Sequence, residues 1–394
     1  MIFVEEALLI SLSDREPLLM ERIREICESQ EESPELPHVW HYAGLLSLLE
    51  EDSSIASRME TKWIPSSDDG SRVPRKIVSD CENVLTGLVN SDSLPEEMRL
   101  RLSGIDVDNY GLLTLVWRYN SFGHHTDASA LCMYDITSMM AHSCGSSGVW
   151  HFGGSDSFCL RARVALRPGD EITISYLGDE DLFKSIPVRR EKTNGWLFFC
   201  SCDRCCNDLP DFSRAFRCPV CVVGSVFVLA SDQASACDTC ASLMGTETLE
   251  RYFSLEKLYE ERIGWIDKSD FKDIKEVLKE ALNLFSLNHH WIVYKLETML
   301  GQDTSLGVHE RILLMQRRLT FLTRCFPMAN YTTAWLLEEL GEAYASISGG
   351  WNTAVSFFER AYWTLRILCG SDHPFCEAAQ VKWDEAVVRI TAET

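Results

Sequence analysis

The sequence predicts an α+β protein with a β-rich core, a helical insertion, a cysteine-rich region and an α-helical C-terminal domain. Three observations lead to this class. Apolar and polar residues alternate over 158–164, which is typical of a strand. Half of the 16 cysteines fall within 200–240. From about residue 246 to the end, apolar residues recur at helical spacing.

The chain begins with apolar runs typical of strands, Ile2–Val4 and Leu8–Ile10. Pro17 then stands where a helix is expected to begin, and Leu19, Ile23 and Ile26 follow at helical spacing. Six segments are predicted along the chain. They are the start of the core (1–17), the helical insertion (18–103), the core (104–180), a cysteine loop (181–207), a cysteine ribbon (208–245) and the helical domain (246–394).

Two strands are predicted inside the core, joined by a turn at Arg167–Asp170. In each of them, alternate apolar side chains share one face. The first strand carries Phe158, Leu160, Ala162 and Val164, and the second carries Ile172, Ile174 and Tyr176.

Residues 340–365 of the helical domain read as two helices joined by a turn at Gly349-Gly350. Small residues at Gly341, Ala354 and Ala361 would let the helices pack closely. This pattern resembles a tetratricopeptide-type hairpin. A single hairpin fits an ordinary α-helical domain equally well.

The charge balance limits the classes of partner. Lys+Arg 37 against Asp+Glu 59 gives a net charge of −22, which opposes nucleic-acid phosphates and suits a basic protein partner. No apolar run approaches the roughly 18 residues that a membrane span needs. The first residues carry Glu5 and Glu6 without a basic flank, so no signal peptide is expected. We therefore expect a cytoplasmic and/or nuclear protein that contacts neither membrane nor nucleic acid.

The ribbon contains two CxxC pairs, Cys218/Cys221 and Cys237/Cys240. Each pair presents two sulfurs on one tight turn, and together they supply the four thiolates of a tetrahedral zinc site. Four sulfurs leave no open coordination position, so this site is expected to be structural. Disulfides or buried free thiols are the alternatives.

A second set, Cys200, Cys202 and Cys205, places three thiolates in six residues. Tetrahedral zinc needs a fourth ligand. Cys206 is adjacent to Cys205, which would strain the geometry, so Cys144 from an earlier segment is the preferred candidate.

Three motifs in this order resemble the second half of a SET-domain lysine methyltransferase with its post-SET zinc loop: MMAHSC (139–144), GDEITISY (169–176) and FFCSCDRC (198–205). The run LCMYDITSMM before AHSC, the Asn120-Ser-Phe122 segment and the helical C-terminal domain resemble the SMYD branch (SET with MYND). The MYND finger is absent, since no Cys/His cluster precedes residue 120. In this respect the chain is similar to apical-complex lysine methyltransferases and to other relatives without MYND.

The resemblance implies methyl transfer from S-adenosyl-L-methionine to a lysine of a protein substrate, histone or non-histone, with zinc as the structural metal. It implies that Tyr176 is the catalytic tyrosine and that Phe122 and Trp196 line the lysine channel. The cofactor contacts that it implies are at Asn120, Ala141, His142 and Phe198. These side chains have an alternative interpretation as ordinary core residues.

The chain departs from the family pattern at the cofactor motif. Ala141 stands where the family has Asn, and Gly145-Ser-Ser replaces the usual Pro-Asn. The family's glycine-rich cofactor loop would precede a strand like that at Ile2–Val4. These departures favour a rival hypothesis, a catalytically weak or inactive SET-like scaffold that binds partners through its helical domain. A zinc-ribbon nucleic-acid binder is disfavoured by the charge.

Overall fold

The structure is a computed structural model that describes two compact units. The N-terminal unit comprises residues 2–141 and 150–160, and the C-terminal unit comprises 142–149 and 161–394. The six predicted segments are finer than this division, and their boundaries stay predictions. The residues outside the description are Met1, Ser13, 31–35, Glu51, 68–69, 154–155, 207–208 and Thr394.

The N-terminal unit combines short strands with a helical core. Its strands are β1 (Ile2–Glu6), β2 (Leu9–Ile10), β3 (Phe122–Gly123) and β4 (Leu131–Met133), followed by β5 (Gly148–Phe152) and β6 (Ser157–Ala162), where the chain passes between the units. The sheet orders are β2-β4-β3 and β1-β6-β5. Its helices are α1 (Pro17–Ser29), α2 (His38–Leu49), α3 (Ser53–Met59), α4 (Arg75–Val89), α5 (Glu96–Ser103) and α6 (Val107–Asn120).

The helix predicted to begin at Pro17 is confirmed as α1, and the side chains predicted for its inner face are buried. Helix α6 forms the centre of this unit, since every residue from Tyr110 to Trp117 is buried. Gly44 of α2 permits the close approach of these two helices, because a Cβ there would lie 2.6 Å from Oγ1 of Thr114 in α6. Helical structure thus continues past residue 103.

One contact in the N-terminal unit fixes the turn that leads toward Ala141. The Glu5 carboxylate in β1 accepts hydrogen bonds from the backbone nitrogens of Ile136 and Thr137, at 2.7 and 2.9 Å. It also accepts a bond from the Thr137 hydroxyl, at 2.6 Å. The first strand therefore holds the 3-10 turn Thr137–Met139 in place.

The C-terminal unit is mainly helical around one three-stranded sheet, β8-β7-β9. Its strands are β7 (Pro210–Arg217), β8 (Ser225–Leu229) and β9 (Phe285–His290). Its helices are α7 (Asp179–Leu182), α8 (Ile186–Thr193), α9 (Asp203–Cys206), α10 (Thr246–Trp265), α11 (Phe271–Ala281), α12 (Trp291–Leu300), α13 (Val308–Cys325), α14 (Tyr331–Ala345), α15 (Trp351–Leu368) and α16 (Pro374–Glu393). No helix in the described residues combines the length and apolar character that a membrane span requires.

The predicted helical hairpin is confirmed as α14, a turn and α15. Gly349 adopts a φ of 72°, which a glycine accommodates without strain. The helices approach closely at Gly341, where a Cβ would lie 2.6 Å from the Phe358 ring. The small residues Ala354 and Ala361 are fully buried in α15, as the close packing requires.

Two predictions about strands are wrong. Residues 172–176 form no regular strand; only an isolated parallel bridge joins His142 to Ile174. The Ile174 and Thr173 carbonyls still accept backbone bonds from the Ser143 and Gly148 nitrogens, but the Thr173 nitrogen donates to the Ser147 hydroxyl oxygen at 3.0 Å. In the region predicted to be helical throughout, β9 pairs antiparallel with β7. Its pairing with β7 makes this segment a strand, although helices precede and follow it.

We predict that Gly341→Ala destabilises the protein by about 1–3 kcal/mol, because the added methyl group meets the Phe358 ring in a packed interface. Gly264→Ala is the matched control: it lies in α10, and a Cβ there meets no atom within 4 Å. That change should be neutral or slightly stabilising, since alanine favours a helix. Thermal unfolding of both variants tests the prediction, and equal melting temperatures would contradict it.

Candidate active site and cysteine centres

Four cysteines from two segments of the C-terminal unit converge at a first centre: Cys144, Cys200, Cys202 and Cys205. The sulfur of Cys144 lies 3.8 Å from that of Cys200 and 3.6 Å from that of Cys205. Four thiolates held about 2.3 Å from one zinc ion would lie about 3.8 Å from one another. The observed separations match that tetrahedron and are far too long for disulfides, whose sulfurs are about 2.0 Å apart. Cys206 is exposed and lies outside this group.

Two arginines beside this centre were missed from the sequence. Arg189 has a side chain only 1% exposed, and its Nη2 lies 3.8 Å from the Cys205 sulfur. Arg204 donates from Nη1 to the Cys144 carbonyl oxygen at 2.8 Å. Burial and the neighbouring Arg189 lower the pKa of Arg204 to about 10, so both guanidinium groups stay charged near neutral pH. The only sequence feature that could have linked either arginine to this centre is the position of Arg204 inside the CSCDRC motif.

The charges of these arginines test whether the centre suits zinc. Asp211, 4.0 Å from Arg189, supplies one negative charge. Four neutral thiols would add none, and a buried guanidinium without a counter-charge is costly. Four thiolates around one Zn²⁺ would carry a net charge of −2, which gives the two guanidinium groups an anionic neighbour besides Asp211 and brings the sum of these charges to −1. The first centre is therefore able to hold zinc.

The second centre lies in the ribbon and groups the cysteines of the two CxxC pairs. Sulfur–sulfur distances across the pairs are 3.7 Å for both Cys218–Cys240 and Cys221–Cys237, again the spacing of a zinc tetrahedron. Backbone amides point at the sulfurs; the Gly224 nitrogen donates to Cys221 at 3.3 Å. Such bonds favour the thiolate, and the pKa of the Cys221 thiol is accordingly lowered.

The two CxxC turns of the ribbon share one backbone geometry. The residue after each second cysteine has a positive φ, 54° at Val222 and 58° at Ala241. Each of these residues donates its amide to the carbonyl of the first cysteine of its pair, at 3.0 Å. A positive φ is strained for the β-branched Val222. The backbone conformation of this turn therefore has to be stabilised by the contacts around it.

Four residues predicted for the active site come together in the C-terminal unit. The Tyr176 ring centre lies 5.3 Å from that of His142, 5.5 Å from that of Trp196 and 6.1 Å from that of Phe198. Leu197, with a φ of 58°, turns the chain between Trp196 and Phe198. Burial raises the pKa of Tyr176 above its ordinary value, so its hydroxyl stays protonated at neutral pH.

His142 joins this aromatic group to the first centre. Its Nδ1 accepts a hydrogen bond from the Tyr176 backbone nitrogen at 3.0 Å. Its Nε2 lies 3.3 Å from the Cys144 sulfur. Both ring nitrogens are thus engaged within the protein, which leaves the ring face and the backbone for any cofactor contact.

The other predicted site residues belong to the N-terminal unit and have partners there. The Asn120 amide donates to the Trp63 and Val116 carbonyls, at 2.7 and 2.9 Å. Phe122 packs against the rings of Tyr134, Trp150 and Phe158. Ala141 is exposed. Their predicted cofactor and channel roles stay predictions.

A third group with metal-binding residue types, His124, His125 and Asp156, was not singled out from the sequence. Hydrogen bonds explain why these side chains lie close together. His124 Nδ1 accepts from the backbone nitrogens of Thr126 and Asp127, so its proton is on Nε2, which donates to Asp156 at 2.8 Å. A metal at Nε2 would have to displace that proton while two amide donors still face Nδ1.

Comparison with known proteins places a SET domain on residues 14–177. This region includes Tyr176 and Cys144 and ends before Trp196. A SET and MYND domain-containing protein of Dictyostelium discoideum is 35% identical over 82 residues, 21% of this chain. The match spans 23% of that relative's length. Over this region the chain is similar to SMYD-like SET proteins, and SET domains are in general protein-lysine methyltransferases.

We predict about two zinc ions per purified chain, since each centre supplies four ligands. Cys144→Ser should reduce the content to about one, because a serine hydroxyl is a poor zinc ligand at neutral pH. The matched control Cys206→Ser changes a neighbouring thiol outside both groups and should keep about two. Metal analysis checks these values, and loss of one zinc in the control would identify Cys206 as the ligand.

Proposed function

We propose that this protein transfers a methyl group from S-adenosyl-L-methionine to a lysine side chain of a protein substrate, histone or non-histone. The observation that carries the proposal is the group formed by Tyr176, Trp196, Phe198 and His142 beside the first cysteine centre. The net charge of −22 suits a lysine-rich partner. We place the activity in the cytoplasm and/or nucleus.

The aromatic faces of this group fit the cofactor. When bound, S-adenosyl-L-methionine supplies a sulfonium methyl group, which is electrophilic. Half-buried aromatic rings attract such cations through their faces. Phe198 is assigned to the adenine ring, and the backbone at Ala141 and His142 to the rest of the cofactor.

The chain's own groups would prepare the lysine. A desolvated aromatic channel, to which Trp196 is assigned, disfavours the charged ammonium and so promotes the neutral amine. The neutral amine would present its lone pair to the methyl group that the cofactor supplies, and its proton would pass to solvent. The protonated Tyr176 hydroxyl would orient the reacting groups in line. Such orientation is expected to supply most of the rate enhancement of methyl transfer.

We predict that Tyr176→Phe abolishes methyl transfer while the fold and both zinc ions are retained. The change removes one hydroxyl group and keeps the ring that packs against His142 and Trp196. Tyr252→Phe is the matched control, a half-buried tyrosine of α10 that packs on Phe216. Transfer of radiolabelled methyl groups to histone and non-histone substrates provides the measurement. Full activity in Tyr176→Phe would show that Tyr176 is only a packing residue.

Ala141 supports the rival hypothesis of a SET-like scaffold, since it removes a side-chain amide that the family uses. We predict that Ala141→Asn strengthens cofactor binding about threefold to tenfold, the value of one neutral hydrogen bond. Calorimetry on both proteins measures the change. If neither binds the cofactor, the scaffold hypothesis replaces the enzyme. If both proteins bind the cofactor equally well, the methyltransferase hypothesis is retained, and the loss of cofactor affinity attributed to Ala141 is wrong.

A further inference from the structure

The bonds of His142 define the position of its proton. Nδ1 accepts from the Tyr176 backbone nitrogen, so in the neutral ring the proton is on Nε2. That proton faces the Cys144 sulfur at 3.3 Å. A metal-bound thiolate accepts such a bond more strongly than a neutral thiol, because it carries negative charge.

The local backbone explains why one ring reaches both partners. His142 lies in an isolated bridge and Cys144, two residues later, lies in a turn that brings its sulfur within 3.3 Å of His142 Nε2. The parallel bridge between His142 and Ile174 sets the facing segment in register, and the Ser143 nitrogen donates to the Ile174 carbonyl at 3.0 Å. The Tyr176 peptide is then next to the imidazole.

The segment that carries Tyr176 is not held by a regular strand ladder. Its placement depends on individual bonds, and one of them joins the Tyr176 backbone nitrogen to Nδ1 of His142. A change in the ring orientation of His142 would therefore move or free the Tyr176 peptide. The orientation of the ring depends in turn on its bond to Cys144.

We propose that His142 is a positioning residue through which metal at the first cysteine centre fixes the Tyr176 peptide. Metal occupancy and the placement of Tyr176 are then coupled, although Tyr176 is not itself a ligand. Only the catalytic consequence of this coupling rests on the proposed function. The coupling itself is a property of the folded chain.

Hydrogen exchange at the Tyr176 amide tests the coupling without an activity assay. In the full chain, Cys202→Ser removes one ligand and leaves both Cys144 and His142. Exchange of the Tyr176 amide should then accelerate about threefold to tenfold, the effect of losing one net hydrogen bond. The Gly148 amide, which donates to the Thr173 carbonyl, serves as the local reference and should change less.

Variants at position 142 separate the two bonds. His142→Ala should give fast Tyr176 exchange whether or not Cys202 is present. His142→Asn offers an acceptor near the position of Nδ1 but is too short to reach the sulfur. It should restore slow exchange that no longer responds to the metal ligand. An unchanged Tyr176 exchange rate in either Cys202→Ser or His142→Ala would overturn the proposal.

A spectroscopic measurement on proteins with all eight ligand cysteines covers the case in which Cys202→Ser does not fold. With Co²⁺ replacing zinc, the thiolate charge-transfer band should shift in both His142→Ala and His142→Asn, because an N–H···S bond is lost. His309→Ala, an exposed histidine of α13, is the control and should leave the band unchanged. An unshifted band in both His142 variants would overturn the proposal. A wild-type protein that binds no S-adenosyl-L-methionine yet shows these responses would refute the proposed function and support the coupling.

Discussion

The compensation of buried charge at the first cysteine centre is the constraint on which the site depends. Four sulfurs meet there, and Cys144 is 56 residues from Cys200 in the chain. The buried Arg189 guanidinium lies against the Cys205 sulfur, and the half-buried Arg204 guanidinium donates to the Cys144 carbonyl oxygen. Without a dianionic metal–thiolate centre, the arrangement would leave buried positive charge unbalanced. Metal, arginines and the segment that carries His142 therefore stabilise one another.

The ligand sets could be predicted from the sequence because sulfur chemistry restricts them strongly. Close-spaced cysteines indicate a tetrahedral site, and of the two candidates for the fourth ligand, Cys144 and Cys206, the structure groups the preferred Cys144 with Cys200, Cys202 and Cys205. The residues expected around Tyr176 followed from the resemblance to SET-domain methyltransferases. Arg189 could not be predicted, since its contact with Cys205 depends on how α8 packs against the cysteine loop. No local pattern encodes that packing.

The two errors in the fold have a common physical origin. Residues 172–176 have the alternation of a strand, yet the Thr173 and Tyr176 nitrogens donate to the side chains of Ser147 and His142. Strand β9 lies between helices, and its pairing with β7 is a long-range contact. In both cases the decisive hydrogen-bond partner is remote in sequence. Periodicity reports which side chains are apolar and does not report where the backbone finds its partners.

The ribbon and the first centre differ in how open their sulfurs are to solvent. In the first centre only Cys202 is partly accessible, whereas in the ribbon Cys240 is exposed and Cys221 is partly so. An incoming ligand can attack a ribbon sulfur directly, and the strained turn at Val222 favours opening once a bond is lost. A metal ion in the ribbon would thus exchange readily with its surroundings. One in the first centre would be kinetically trapped, so the two centres differ in lability although their ligands are chemically the same.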